Sequence, residues 1–156
     1  MEEIRNRLKH LGICVIIPTY NNAGTITDVM HSVSEYCNDI LVICDGPTDG
    51  TEELVRQCDM PVRVLAYRPN KGKGRALVTG FREALDLGFR YAITLDSDGQ
   101  HYADDIPAFA QTIAEHPEIH YMLTWEKSEE GFYVVKVLVD DGAVTFSKMS
   151  LQLGAK

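Results

Sequence analysis

Asp96 and Asp98 stand one residue apart in Leu95-Asp96-Ser97-Asp98-Gly99-Gln100-His101, immediately after the apolar run Tyr91-Ala92-Ile93-Thr94-Leu95. Strand side chains alternate faces, so a chain that stays extended as it leaves a buried strand aims both carboxylates the same way. Gly99 then frees the turn. Hard oxygen donors at this spacing suit Mg²⁺ or Mn²⁺, which keep waters and complete their shells with a substrate's phosphates. The motif therefore implies a divalent cation and a phosphorylated ligand. The competing reading is a solvated turn, or a cap on the helix beyond Ala103, for which Asp104 and Asp105 are better placed.

Groups of complementary chemistry lie elsewhere in the chain. Lys71, Lys73 and Arg75 interleave with Gly72 and Gly74 ahead of a helical pattern. They offer cations and free backbone amides to a diphosphate, with Lys73 and Arg75 the favoured participants. This is not a P-loop, since G-x-x-x-x-G-K-[ST] is absent, and a solvated basic loop is the alternative. Asp45, at a predicted strand end, can accept from a base N–H or from sugar hydroxyls; the alternative is a turn-stabilising role that Asp-Gly invites. A neutral His101 can bind Mn²⁺ or a phosphate-bound water, or merely order its loop. His10, His31, His116 and His120 have no evident partners and are expected at the surface.

The elements that must position these groups alternate. Ile13-Cys14-Val15-Ile16-Ile17 reads as a continuous buried strand, and Ile26, Val29, Met30, Val33 and Cys37 form one stripe on a helix from about Thr25 to Cys37. A second strand runs from Ile40 to Cys44. Thr51 is then expected to cap a short helix through Cys58, with Glu52 and Glu53 in its first turn and Pro61 beyond its end. Val62 to Tyr67 is the third strand, and a helix carrying Ala76, Leu77, Gly80, Phe81, Ala84 and Leu85 follows, closed by Gly88. Tyr91 to Leu95 is the fourth strand. A helix opens at Asp104-Asp105-Ile106-Pro107 and runs to about Glu115, with Pro107 tolerated in the first turn.

This β-α alternation predicts an α/β fold with a mostly parallel sheet, right-handed crossovers and helices on both faces. Ligands of such sheets bind beyond the carboxyl ends of the strands. Thr19 to Asn22, Asp45, Arg68 to Arg75 and Asp96 to His101 should therefore converge on one crevice. The rhythm stops after residue 117. Tyr133–Val139 and Val144–Met149, flanking Asp140-Asp141-Gly142-Ala143, read as a β-hairpin in an extension spanning 118–156. Such a hairpin would cover the sheet edge or pair with a second copy as a homodimer.

Composition narrows the class. The chain has 156 residues, the size of one domain, with 45% apolar and 24% charged residues, which is ordinary globular usage. A formal charge of −8 argues against a nucleic-acid footprint, which needs a clustered basic face. No apolar run approaches the roughly 18 residues that span a bilayer, and Met1-Glu2-Glu3-Ile4-Arg5 lacks a secretory apolar segment, so a cytoplasmic location is expected. Cys14, Cys37, Cys44 and Cys58 show no C-x-x-C spacing and are expected as small buried hydrophobes.

Four segments in order resemble family 2 glycosyltransferases: Val15-Ile16-Ile17-Pro18-Thr19-Tyr20-Asn21-Asn22, Cys44-Asp45-Gly46-Pro47-Thr48-Asp49-Gly50-Thr51, Asn70-Lys71-Gly72-Lys73-Gly74-Arg75-Ala76-Leu77 and Asp96-Ser97-Asp98-Gly99-Gln100-His101. The Gly-Lys-Gly and Asp-x-Asp-Gly-Gln-His forms are most similar to dolichyl-phosphate mannose synthases and related polyprenyl-phosphate sugar transferases. The resemblance covers about residues 12 to 117. It implies a GT-A fold, a UDP- or GDP-linked sugar donor and Mg²⁺ or Mn²⁺. It also implies a donor site of Pro18, Thr19, Tyr20, Asn22, Asp45, Lys73, Arg75, Asp96 and Ser97, and a metal site of Asp96, Asp98 and Gln100. The family pattern Asp-Asp-Gly-Ser is here Cys44-Asp45-Gly46-Pro47, without the first carboxylate or the serine hydroxyl.

The activity implied is inverting sugar transfer to a polyprenyl phosphate or a glycan, at a location peripheral to the inner face of the membrane. The family's Gly-Ser-Arg segment, acidic base motif and Arg-Trp signature are absent from 118–156, and the chain is considerably shorter than a complete family member. Trp125-Glu126 is a possible substitute for the base; Asp140-Asp141 is more simply a turn. Three classes stay open: a metal-dependent glycosyltransferase, a nucleotide-sugar-binding module without turnover, and a nucleotidyltransferase. The last lacks its glycine-rich basic loop after Ile17.

Overall fold

The computed structural model describes residues 1–100 and 102–115, and beyond them the strand backbones at 122–124, 127–128, 131–140 and 143–150. Four parallel strands carry the site: β1 (Ile13–Thr19), β2 (Ile40–Asp45), β3 (Val62–Tyr67) and β4 (Tyr91–Thr94), in the order β3-β2-β1-β4. The helices are α1 (Glu2–Leu11), α2 (Ile26–Ser34), α3 (Thr51–Gln57), α4 (Lys73–Asp86) and α5 (Ile106–Glu115). The expected α/β architecture is present. Beyond β4 the backbone continues into β5 (Met122–Thr124), parallel to β4, then β6 (Lys127–Ser128), β7 (Gly131–Asp140) and β8 (Ala143–Ser150). Asp141 and Gly142, the middle of the expected hairpin turn, lie outside the described residues, and the hairpin remains an expectation.

The two faces of the sheet explain the apolar runs. Ile13, Val15 and Ile17 of β1 pack with Val42, Ile93 and residues of α1, α2, α3 and α5. Cys14 and Ile16 point the other way and pack with Leu41, Ile43, Ala92 and the α4 residues Ala76, Phe81 and Ala84. Every residue of β1 and β2 is buried, because a parallel strand with helices on both sides has no wet face. Cys14, Cys37 and Cys44 belong to these cores as free thiols; burial pushes Cys37 up to about 12 and Cys44 up to about 11. Cys58 is only half-buried.

Three local expectations need correction. Helix α1 was not expected: seven of its ten residues are polar or charged, and only Ile4, Leu8 and Leu11 turn to the core; the chain ends it at Gly12, whose φ of 71° suits a left-handed C-cap. Thr51 is the first helical residue of α3 and not its cap: Gly50 takes the cap position at φ 88°, and Asp49 Oδ1 accepts the Thr51 N–H at 3.1 Å. Asp104 does not cap α5 either. It lies in a 3-10 turn, Ala103–Asp105, and accepts from the Tyr36 hydroxyl at 2.8 Å. That bond raises the Tyr36 phenol above its ordinary value.

Helix α4 seats on the sheet through Gly80. A Cβ there would stand 2.7 Å from Ile16 Cγ2 and 3.2 Å from Ile43 Cγ1. Gly74, in the same helix, has nothing within 4 Å of its notional Cβ. The two glycines should respond oppositely to alanine. Gly74→Ala should raise stability by about 0.5–1 kcal/mol through helix propensity alone. Gly80→Ala gains the same term but overpacks a branched neighbour by about 1–3 kcal/mol, so its urea midpoint should fall.

Candidate functional site

The site begins where two neighbouring strands part. The Leu95 N–H donates to the Ile16 carbonyl at 3.0 Å, and it is the last ladder bond between β1 and the chain leaving β4. β1 runs on through Ile17, Pro18 and Thr19, paired only with β2. Pro18 is tolerated in this central strand because its missing N–H faces the side that β4 has vacated. β2 lies on one side of β1 and β4 on the other, which makes this the switch point where open parallel sheets bind ligands.

After Leu95 the chain turns at Ser97 and Asp98, and Gly99 takes φ 81°. The chain therefore does not stay extended through Asp98, and its direction comes from the turn and not from strand alternation. Both acids still line one cleft of about 460 Å³. Asp96 Oδ2 accepts from Lys73 Nζ at 2.7 Å, and Asp98 Oδ1 accepts from the Gln100 N–H at 2.9 Å. Side-chain contacts fix the turn from behind: Asn22 Nδ2 donates to Ser97 Oγ and Thr25 Oγ1 donates to the Ser97 carbonyl, each at 2.6 Å.

The cleft gathers most of the predicted donor residues. Pro18, Thr19, Tyr20 and Asn22 line it from the end of β1, Asp45 from β2, Lys73 from α4, and Ser97 lies between the two acids. Arg75 and Gln100 are exposed and stand outside the lining. Asn70 and Gly72, from the segment expected at the crevice, and Ala76 also line the cleft, although none was assigned to the donor site from the sequence. His101, His116 and His120 lie outside the described residues; His10 and His31 are exposed. The Thr19 hydroxyl is buried in the lining without a hydrogen-bond partner among the described residues. A buried orphan of this kind in a cleft wall is ready for a ligand or water.

Asp45 is held by the loop after β3. Lys71 N–H donates to its Oδ1 at 2.7 Å, and Asn70 Nδ2 donates to its Oδ2 at 3.0 Å. Gly72 N–H is engaged as well, by Asn70 Oδ1 at 3.2 Å. The amides of Lys71 and Gly72 are thus spent on Asp45 and Asn70. The Tyr67 hydroxyl is buried close to Asp45; burial first, then the carboxylate, push the phenol up to about 12, yet it has no aligned hydrogen-bond partner among the described residues. Lys71 Nζ lies 5.3 Å from the centre of the Tyr67 ring.

The residues fit a divalent cation of the oxygen-loving kind. Asp96 and Asp98 supply two carboxylates from one turn of the cleft, and among the described residues no group of three His, Cys, Asp or Glu is placed to hold a metal ion. Water and phosphate oxygens would complete the shell, as is usual for Mg²⁺. Lys73 already neutralises one of the two acids, so a cation there would share Asp96 with an ammonium.

Residues 14–144 match the family described as Glycosyl transferase family 2, and the chain belongs to that family. The match runs past residue 117, beyond the reach of the four motifs. The chain is 27% identical over 158 residues to a UDP-N-acetylglucosamine–dolichyl-phosphate N-acetylglucosaminyltransferase of Methanococcus voltae, covering 91% of this chain and 63% of that protein. It is 32% identical over 108 residues to an undecaprenyl-phosphate mannosyltransferase of Micrococcus luteus, covering 65% of this chain and 44% of the relative. The crystal structure of S. aureus TarS 1-349 in complex with UDP superposes with a TM-score of 0.59 at 23% identity, over 74% of this chain and 35% of that one. The fold is GT-A.

A second cluster ties the loop after β2 to the loop after β1. Asp49 Oδ2 accepts the Ala23 N–H at 3.1 Å, Thr51 Oγ1 accepts the Asn22 N–H at 3.0 Å, and Asn21 Oδ1 accepts the Thr48 N–H at 2.8 Å. Desolvation disfavours the Asp49 charge, but hydrogen bonds from Thr51 and Ala23 outweigh it and hold the carboxyl below its ordinary value. A depressed carboxyl stabilises the fold above its unfolded pKa, and that contribution is lost as pH falls through the folded pKa. Lowering pH from 7 to 3 should therefore reduce the urea midpoint of the native chain more than that of Asp49→Asn. Equal losses would remove Asp49 from the acid response.

Proposed function

We propose that this chain binds a UDP- or GDP-linked sugar together with Mg²⁺ or Mn²⁺ and transfers the sugar, with inversion at the anomeric carbon, to a polyprenyl phosphate or a glycan. One observation carries the reading. An unpartnered Thr19 hydroxyl, the Asp45 carboxylate, the Lys73 ammonium and the Asp96–Asp98 pair face one cleft at the switch point of a family 2 chain. The names of the two relatives support a polyprenyl-phosphate acceptor. The chain spans 63% and 44% of their lengths, so the activity of the whole relatives comes to it as part of this proposal.

A cation held by Asp96 and Asp98, with Gln100 as a further oxygen ligand, would neutralise charge on the departing nucleoside diphosphate. Lys73 offers the same phosphates a second positive charge from within the cleft, and Arg75 would join it by swinging inward from the first turn of α4. Pro18, Thr19 and Tyr20 form the rim around the nucleoside, and Asp45 accepts from its base. Asn22 and Ser97 keep the acidic turn in place. An acceptor phosphate brings its own nucleophilic oxygen, whereas a hydroxyl acceptor needs a carboxylate base within hydrogen-bond reach. A lipid-phosphate acceptor goes with a cytoplasmic location at the inner membrane face. Among the described residues no helix is long and apolar enough to cross a membrane.

A second reading, binding of the nucleotide sugar without turnover, is favoured by the lack of a recognisable base motif after residue 117. Release of UDP or GDP in the presence of polyprenyl phosphate separates the two. Under both readings a nucleoside diphosphate should raise the melting temperature only when Mn²⁺ or Mg²⁺ is present. At a hundredfold excess over Kd the stabilisation should be about 2.7 kcal/mol. Asp98→Asn should abolish the metal-linked part of the shift; if the variant keeps it in full, Asp98 is not a ligand.

A further inference from the structure

We infer that Asn70 sets which nucleobase the cleft accepts, by holding the Asp45 carboxylate as a fixed acceptor for a base with a ring N–H. Uracil and guanine present that donor; cytosine and adenine present a bare ring nitrogen at the equivalent edge. The inference rests on the donor-binding reading above and extends it to a residue that acts through Asp45.

Asp45 is only 2% exposed, yet it lines the cleft. Its carboxylate is anchored on both oxygens from the β3 side, by the Lys71 N–H at 2.7 Å and by Asn70 Nδ2 at 3.0 Å. The same Asn70 amide also donates to the Asp45 carbonyl at 3.1 Å. Its orientation is not free, because the Gly72 N–H occupies Asn70 Oδ1 and leaves only the NH₂ end to face Asp45. The backbone of Asn70 is pinned as well. It lies so close that a Cβ on Gly46 would stand 2.4 Å from the Asn70 nitrogen.

An ionised carboxylate has about four acceptor positions and no donor, so two anchoring bonds leave capacity that only a donor can fill. A ring N–H fills it. A bare ring nitrogen sets a lone pair against an anion in a desolvated corner, where an unmatched polar contact is most costly. Sites built around a specific hydrogen bond reject analogues that lack it more strongly than apolar pockets reject a changed methyl group. Selectivity then depends on the carboxylate plane staying put, and Asn70 is the side chain that holds it.

The test is calorimetric titration of the full chain, in Mn²⁺, with UDP, GDP, CDP, ADP and inorganic pyrophosphate. The native chain should prefer UDP or GDP over CDP and ADP by at least about tenfold, one charge-assisted hydrogen bond. Asn70→Ala should reduce that preference to about threefold or less while leaving pyrophosphate affinity unchanged, since one released anchor costs roughly one hydrogen bond. The near-isosteric Asn70→Asp keeps the loop's volume but sets a carboxylate against Asp45, and should lose the preference equally. Retention of the native base ratio in both variants would overturn the inference, and so would a parallel loss of pyrophosphate binding, which marks a merely structural role. A native chain that binds nucleotides without base preference would instead remove Asp45 as the base acceptor and the inference with it.

Discussion

The parting of β1 from β4 after the Leu95–Ile16 hydrogen bond is the constraint on which the site depends. Two parallel strands hydrogen-bonded to their ends leave no room for a ligand between them. Here β1 continues for three residues without that neighbour, and the chain from β4 is free to turn. The gap places the end of β1 on one wall and Asp96 to Asp98 on the other. The Pro18 ring sits where a ladder donor would have no partner, so the residue that rims the cleft also keeps β1 from being paired there.

A gap alone does not hold polar groups in place, and this one is braced by side chains that hydrogen-bond to the backbones and side chains of neighbouring segments. Asn22 and Thr25 hold the Ser97 turn, Asp49 and Thr51 tie the loop after β2 to that after β1, and Asn70 joins the loop after β3 to Asp45. All three braces use short side chains with one or two rotatable bonds, which lose little rotamer freedom on ordering. The acidic turn, Asp45 and the Lys73 end of α4 are therefore fixed relative to one another through the sheet. Gly80 lets α4 lie close against Ile16 and Ile43 of the sheet.

Much of this was legible in the sequence, and the pattern of success has a physical cause. Strands covered on both faces must be apolar at every position, so β1, β2 and β4 stand out as unbroken runs. The four loop motifs sit at strand ends, where the topology rule places ligands, and nine residues named from them line the cleft. Helix α1 escaped because seven of its ten residues are polar or charged, although Ile4, Leu8 and Leu11 stand at helical spacing and Gly12 as a C-cap was a usable signal. Asn70 escaped for a different reason: its role consists of contacts to Asp45, 25 residues away, and no local pattern encodes them. The turn at Ser97 could not be read from alternation, since alternation holds only while the neighbouring strand is present.

The electrostatics of the cleft bear on why a cation belongs in the proposed chemistry. Three carboxylates, Asp45, Asp96 and Asp98, line it against a single ammonium, that of Lys73, a formal surplus of two negative charges in a chain whose net charge is −8. On the proposed reading, a nucleoside diphosphate entering that space alone would meet like charge, and the partly dry walls would strengthen the repulsion. Lys73 cannot relieve it unaided, because its ammonium is already committed to Asp96 at 2.7 Å. Asp96 and Asp98 would hold a divalent ion there, whose positive charge would offset the repulsion and leave Lys73 able to meet the diphosphate. On the proposed chemistry, the acids that would repel a bare anion would thereby recruit the metal-bound donor, and the charge of the cleft would select for it.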